Sequence, residues 1–314
     1  MGYHRIRHLT SYAYPTPVTD SANQIMLYAI NDARQQVKLH ELNITGRPAI
    51  EVFSDYYGNT IGTFSVIAPH QELVIDSMLE VSVDPLEPPP DDQSPSDQWD
   101  RLTAVKGTYP YLDFLSQERC SSRDGILDVV KSLATPAITP LGASLSLAEF
   151  VYGALHYQKG VTSVESSVDD VWHLKAGVCQ DFAHLLLLML RMGGIPARYV
   201  SGYVCPKDHE MRGEGATHAW VEAFIPGYGW LGIDPTNNSI VNERHVRLAF
   251  GRSFADCTPV KGTFKGSVEH TLSVSVRIEN GSSDGPAPIF STTVRKEEPS
   301  SNSYRKYLEF QQQQ

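Results

Sequence analysis

Gly177-Val178-Cys179-Gln180-Asp181-Phe182-Ala183-His184-Leu185-Leu186-Leu187-Leu188-Met189-Leu190-Arg191 is the stretch on which the fold turns. Residues 182–191 are apolar almost all round, the pattern of a central, buried helix. Gly193-Gly194 stop it in C-cap fashion, with Pro196 beyond. Cys179 stands at the helix start, where the positive end of the macrodipole and the unpaired first-turn N–H groups favour a nucleophilic thiolate. Taken alone, such a cysteine reads equally well as a small buried hydrophobe. Gly177 shifts the balance, because a glycine just before the helix lets the chain approach closely and present the next side chain outward. Asp181 reads as a first-turn cap and His184 as a core histidine.

Downstream, 198–204, 216–225 and 230–234 read as strands. Ile225-Pro226-Gly227-Tyr228-Gly229 is a turn, so the last two should form a hairpin carrying Thr217-His218-Ala219-Trp220 and Ile233-Asp234-Pro235-Thr236-Asn237. Side chains alternate with period two. His218 and Asp234 therefore share a face whenever paired positions sum to an even number: 452 sets them directly opposite, 454 makes them diagonal neighbours. Either lets the carboxylate fix the imidazole tautomer and support an imidazolium. Each residue alone is unremarkable; the order Cys179, His218, Asp234 is that of a nucleophile, a base and its orienter.

Upstream, 124–133 and 144–157 carry apolar residues at helical spacing, separated by Pro136 and Pro140. The stretch 84–97 is rich in proline and acid, which disfavours helix and central strand, and residues 85–100 are expected to be a linker. Residues 1–84 alternate as short strands (39–44, 60–67, 73–83) with turn chemistry at 55–59, pointing to an antiparallel sandwich. Helical spacing appears there only over 21–28. His4 and His8 fall on one face of a strand, with no third ligand nearby. Residues 269–279 alternate as a strand, and 281–314 is expected to be a flexible tail.

The chain has 314 residues, 41% of them hydrophobic, which supplies a sizeable core and about two domains. Lys and Arg number 26 against 36 Asp and Glu, a net charge of −10 that disfavours nucleic-acid and anionic-membrane partners. Residues 1–8 are polar, so no signal peptide is expected, and the longest apolar run, 185–190, is far shorter than the roughly 18 residues of a membrane span. Four cysteines without a CxxC pair fit a reducing cytoplasm, with Cys205 and Cys257 structural.

The segments 177–183, 194–203, 218–222, 229–237, 251–256 and 259–262, with Tyr3-His4-Arg5-Ile6-Arg7-His8, Tyr14, Pro17-Val18 and Asn23 at the start, resemble the bacterial branch of the transglutaminase-like superfamily. The resemblance runs to about residue 280. It implies an α+β protein: an N-terminal antiparallel β domain (1–84) and a papain-like transglutaminase core (101–280). By motif, Cys179 is then the nucleophile, His218 the base and acid, and Asp234 the orienter. Gln180 stands where eukaryotic cross-linking enzymes carry Trp, and their calcium sites have no counterpart. The expected chemistry is acyl transfer through a thioester on a peptide or protein amide, with hydrolysis first, transamidation second, and a non-catalytic binding module as a third reading. Trp172 or His173 could supply an oxyanion donor, or Trp172 could simply pack in the core. Tyr199 and Trp220 could line a substrate groove or the core. No cofactor and no metal are expected.

Overall fold

The computed structural model describes residues 1–205, 212, 217–266, 270–280 and 289–297, with backbone alone for 280 and 289–297. It divides into two compact units, residues 1–83 with those from 258 onward, and residues 84–257. In chain order the elements are β1 (Gly2–Ile25), β2 (Gln35–Ile44), β3 (Glu51–Ser54), β4 (Thr60–Val66), β5 (His70–Val83), α1 (Pro95–Val105), α2 (Arg123–Leu133), α3 (Pro140–Ala154), β6 (His156–Tyr157), α4 (Val168–Leu174), β7 (Ala176–Gly177), α5 (Cys179–Met192), β8 (Ala197–Val204), β9 (Thr217–Ile225), β10 (Gly229–Asp234), β11 (Ser239–Ile240), β12 (His245–Gly251), β13 (Val260–Lys265), β14 (His270–Asn280) and β15 (Ile289–Glu297).

The first unit is one eight-stranded antiparallel sheet strung on β1. Residues 4–13 of β1 lie between β5 and β14, and residues 21–25 between β4 and β13. Pro15 and Pro17 sit where β1 changes partners; without an N–H they cannot continue a two-sided ladder, and the register against β5 shifts between Ala13 and Val18. His4, Ile6, His8 and Thr10 face inward, while Arg5 and Arg7 face outward and pair with Glu80 and Asp76. The helical spacing over 21–28 is overridden: residues 21–25 are the end of β1.

Three expected boundaries are corrected. The 101–280 core ends at 257, because β13 and β14 return to pair with β1. The 281–314 tail contains β15, paired to β14; its remaining residues, 281–288 and 298–314, lie outside the described ones. The linker also stops short of 100, since α1 begins at Pro95, a first-turn position where proline is tolerated, capped by Ser94 accepting from the Asp97 N–H at 3.2 Å.

In the second unit α5 is the central helix. It packs on β8 and β9 and against α2, α3 and α4, with Leu185, Leu186, Met189 and Leu190 fully enclosed. Burying each such side chain is worth about 1.5–3 kcal/mol. Gly194, at φ +80°, ends the helix: its N–H reaches Arg191 O at 3.1 Å and the Ile195 N–H reaches Leu190 O at 2.9 Å, a Schellman pair. The antiparallel sheet runs β11-β10-β9-β8-β12. The short parallel pair β6–β7 sets Tyr157 beside Gly177, just before α5. Among the described residues no helix is long and apolar enough to cross a membrane.

Candidate active site

Cys179 is the first residue of α5 and is half-buried, whereas Cys205 and Cys257 are fully enclosed. What holds the helix start is Asp181. Its Oδ2 accepts from the Val178 N–H and from the Thr162 hydroxyl, each at 2.7 Å. Burial raises the Asp181 carboxyl above its ordinary value, and those two donors work against that rise. Gly177 makes the contact possible, since a Cβ there would stand 2.4 Å from Asp181 Oδ2.

The β9–β10 hairpin pairs Ile225 with Gly229 and Val221 with Ile233, a sum of 454, so Asp234 is the diagonal neighbour of His218. His218 Nε2 donates to Asp234 Oδ2 at 2.8 Å, and both side chains are fully buried. Among the described residues His218 Nδ1 has no hydrogen-bond partner. The Cys179 thiol lies close enough to act on the imidazole. Burial depresses the His218 pKa, but Asp234 and then the Cys179 thiol outweigh it and the net shift is upward. Burial likewise works to raise Asp234, and its imidazole partners pull it well below the carboxylate range. Thr236 and Asn237 complete the carboxylate's shell: the Thr236 N–H donates to Oδ1 at 2.9 Å and Asn237 Nδ2 to Oδ2 at 2.8 Å.

The other candidates have partners of their own. Trp220 is a core residue, its ring 6.2 Å from that of His218 and 5.3 Å from that of His245. Gly202, opposite His218, gives it room, because a Cβ there would lie 2.6 Å from the indole. Tyr199 is also buried, packed on His184 and Phe254, with no exposed face for substrate. Trp172 packs against Phe150 under the Lys175 ammonium, which sits 3.3 Å from the ring centroid, and its indole N–H edge faces Gly125 on α2. His173 meets the Ser122 hydroxyl at 3.3 Å. His184 accepts from the Phe254 N–H at 3.1 Å, as a core histidine does.

Three residues near the site were not assigned from the sequence. Tyr157, on β6, has its hydroxyl pKa raised by burial and by the Cys179 thiol beside it. Asn237 stood within a recognised segment but carried no role. His245, on β12, reaches the same Asp234 Oδ2 at 3.5 Å. Its sequence signal is no more than a histidine ahead of Val246, Leu248, Ala249 and Phe250.

Chemically, the arrangement offers a half-exposed thiol, a bare imidazole nitrogen on its side, a buried anion behind that imidazole, and the first-turn N–H groups of α5 beside the sulfur.

Residues 4–82 match the bacterial transglutaminase-like N-terminal region and residues 128–235 the transglutaminase-like superfamily core. An uncharacterized protein of Mycobacterium leprae is 33% identical over 277 residues, spanning 87% of this chain and 97% of that protein. A protein-glutamine gamma-glutamyltransferase of Pseudomonas aeruginosa is 35% identical over 83 residues, 24% of this chain and 12% of that protein. The crystal structure of a candidate cysteine protease from Cytophaga hutchinsonii superposes with a TM-score of 0.70 at 19% identity, covering 94% of this chain and 98% of that one, a likeness of fold. With both regions matched in order and the Mycobacterium leprae relative aligned over 97% of its length, the chain belongs to the transglutaminase-like superfamily.

Proposed function

We propose that the protein is a cysteine-dependent hydrolase of amide or peptide bonds, working through a thioester, with Cys179, His218 and Asp234 as its catalytic group. The observation that carries this reading is the division of labour on one imidazole: Nε2 is committed to Asp234 at 2.8 Å, and Nδ1 is unpartnered on the Cys179 side.

His218 Nδ1 takes the proton from the Cys179 thiol, and the sulfur attacks the substrate carbonyl carbon. The first-turn N–H groups of α5 hold the developing oxyanion. As the tetrahedral intermediate collapses, the imidazolium gives the Nδ1 proton to the leaving amine, and an S-acyl bond replaces the C–N bond. Nδ1 then deprotonates a water that attacks the thioester; the S–acyl bond breaks, the sulfur takes back the Nδ1 proton, and a free acid leaves. Asp234, held by its own donors, fixes the Nε2–H tautomer that leaves Nδ1 free.

The test is hydrolysis of a mixed peptide and small-amide library, read by mass spectrometry of released acids. Activity present in the wild type and absent from Cys179→Ala and His218→Ala variants of unchanged melting temperature is the expected result. Equal activity in Cys179→Ala would refute the reading. Transamidation shares every step up to the thioester; the local match to the Pseudomonas aeruginosa gamma-glutamyltransferase favours it as the second reading.

A further inference from the structure

Five donors converge on the buried Asp234 carboxylate. Oδ1 accepts from the backbone N–H groups of Thr236 (2.9 Å) and Asn237 (3.3 Å); Oδ2 faces His218 Nε2 (2.8 Å), Asn237 Nδ2 (2.8 Å) and His245 Nε2 (3.5 Å). Backbone groups and a neighbour three residues on come free with the local turn. His245 does not: it arrives on β12, which joins the sheet through β8, and it meets the same oxygen that faces His218.

We propose that His245 is a positioning residue for the Cys179–His218–Asp234 group, a neutral Nε2–H donor that holds the Asp234 carboxylate in the orientation that receives His218. This inference rests on the catalytic reading above.

The tautomer follows from the surroundings. His245 Nδ1 lies 3.3 Å from the Asn242 N–H, which must donate to it. Asn242 Oδ1 is also 3.3 Å from Nδ1, but that oxygen already accepts the Arg244 N–H at 3.0 Å. A proton on Nδ1 would leave a bare Nε2 facing an anion with no water between them, an arrangement of lone pairs that a buried site disfavours. The charged and titratable groups around His245 are Asp234 from β10, His218 from β9 and Arg244 next in the chain. Burial lowers its pKa first; Asp234 opposes this, while His218 and Arg244 reinforce it. Trp220 closes the space between the two imidazoles, edge-on to His245 at 5.3 Å and an interplanar angle of 79°. Asp234 Oδ2 is thus shared by the two imidazoles, at 2.8 Å from His218 and 3.5 Å from His245, so the second donor helps to hold that oxygen where His218 meets it.

The probe is iodoacetamide alkylation of Cys179 from pH 5 to 10, together with ¹⁵N-histidine NMR of the wild type. NMR is expected to show the Nε2–H tautomer at His245. His245→Phe keeps an aromatic ring but cannot donate, and should slow alkylation about 10-fold. His245→Gln keeps an N–H and should stay within about threefold of wild type across the profile. An Nδ1–H tautomer at His245, or wild-type alkylation in His245→Phe, overturns the proposal. So does equal slowing by Phe and Gln, which would indicate packing rather than donation. If His245→Phe does not fold, the NMR result and the Gln variant still decide. His218→Ala and Asp234→Asn serve as references: if neither slows alkylation, the catalytic reading itself fails, and if both do while His245→Phe does not, only the role of His245 falls.

Discussion

Asp234 reaches His218 along the diagonal of the β9–β10 ladder, one pair beyond Val221–Ile233, and closes to 2.8 Å between Oδ2 and Nε2. The contact joins two side chains that are each fully enclosed, so neither can be replaced by water when its partner is lost.

Asp234→Asn should therefore cost activity without costing the fold. The amide keeps the volume and the acceptor for Thr236, but it can present an N–H to Nε2. His218 then favours the proton on Nδ1, the nitrogen that must be bare. The expected loss is about 10²–10⁴-fold in turnover, and His218→Ala should abolish it. Rates measured beside melting curves check this. Wild-type turnover in Asp234→Asn would show that the diagonal contact does not orient the base.

Cys179 should alkylate faster with iodoacetamide at pH 7 than Cys120, Cys205 or Cys257. Cys205 is fully buried, which pushes its pKa well up, and Cys257 is equally enclosed. Cys120 is more open, yet burial and then Asp169 raise its pKa, so little of it is thiolate at neutral pH. Peptide-resolved mass spectrometry of folded protein reads the order. Faster labelling at Cys120 would contradict it.

The parts of this fold that are local were legible in the sequence. The all-apolar run from Phe182 marks α5, the turn at 226–229 forces the hairpin, and period-two alternation limits His218 and Asp234 to two registers. What depended on distant partners was not. Pro15 and Pro17 are visible in the chain, but that β1 exchanges β5 and β14 for β4 and β13 around them is set by strands far away in sequence. The same holds for residues 260–280, which pair with β1, and for His245, which reaches Asp234 by way of β8 rather than through a hairpin. The partners of Trp172 and His173 were not legible either: Lys175, at φ +54°, sets its ammonium over Trp172, and His173 meets Ser122, contacts that no spacing rule reports.

Gly177→Ala should destabilise the protein by about 1–3 kcal/mol and slow Cys179 alkylation. The new methyl would lie 2.4 Å from Asp181 Oδ2 and 2.7 Å from Asp181 Cβ. To make room, Asp181 must release the Val178 N–H and Thr162, loosening the turn that presents Cys179. In an Asp181→Ala background the same substitution should cost measurably less, because the carboxylate is gone and only the Cβ contact remains. Identical losses in the two backgrounds would mean that Gly177 acts through something other than Asp181.

Acid should weaken the fold through His184. Burial, then Arg191, lowers its folded pKa to about 4, and its Nε2 accepts from the Phe254 N–H, which requires the neutral ring. The unfolded chain takes up that proton near pH 6.5 and the folded chain only near 4. Stability is therefore retained above pH 6.5 and lost as pH falls between the two values. His184→Gln keeps an acceptor without a titration. Between pH 7 and 4.5 the variant should lose less stability than wild type, by on the order of 2 kcal/mol, in urea unfolding followed by circular dichroism. Parallel losses would place the acid sensitivity elsewhere.

The fate of the thioester separates the two enzymatic readings. Up to that intermediate, hydrolysis and transamidation use the same thiol, the same His218 proton and the same first-turn N–H groups; they part only in what attacks next. Water stands at about 55 M against millimolar amine, so an enzyme that transfers to amines must exclude water or bind the amine beside the sulfur. The residues after the nucleophile do not favour exclusion. Gln180 is polar and half-buried, and Asp181 is committed to the Val178 N–H and Thr162. Hydrolysis should dominate. With one working amide substrate and a labelled primary amine at about 5 mM, released acid should exceed amine adduct by at least about tenfold, and Cys179→Ala should give neither. The products are counted by mass spectrometry over the first tenth of conversion, before the adduct can itself be turned over. An excess of amine adduct would make the protein a transamidase and leave the Cys179–His218–Asp234 assignment intact, since both products pass through the same S-acyl enzyme.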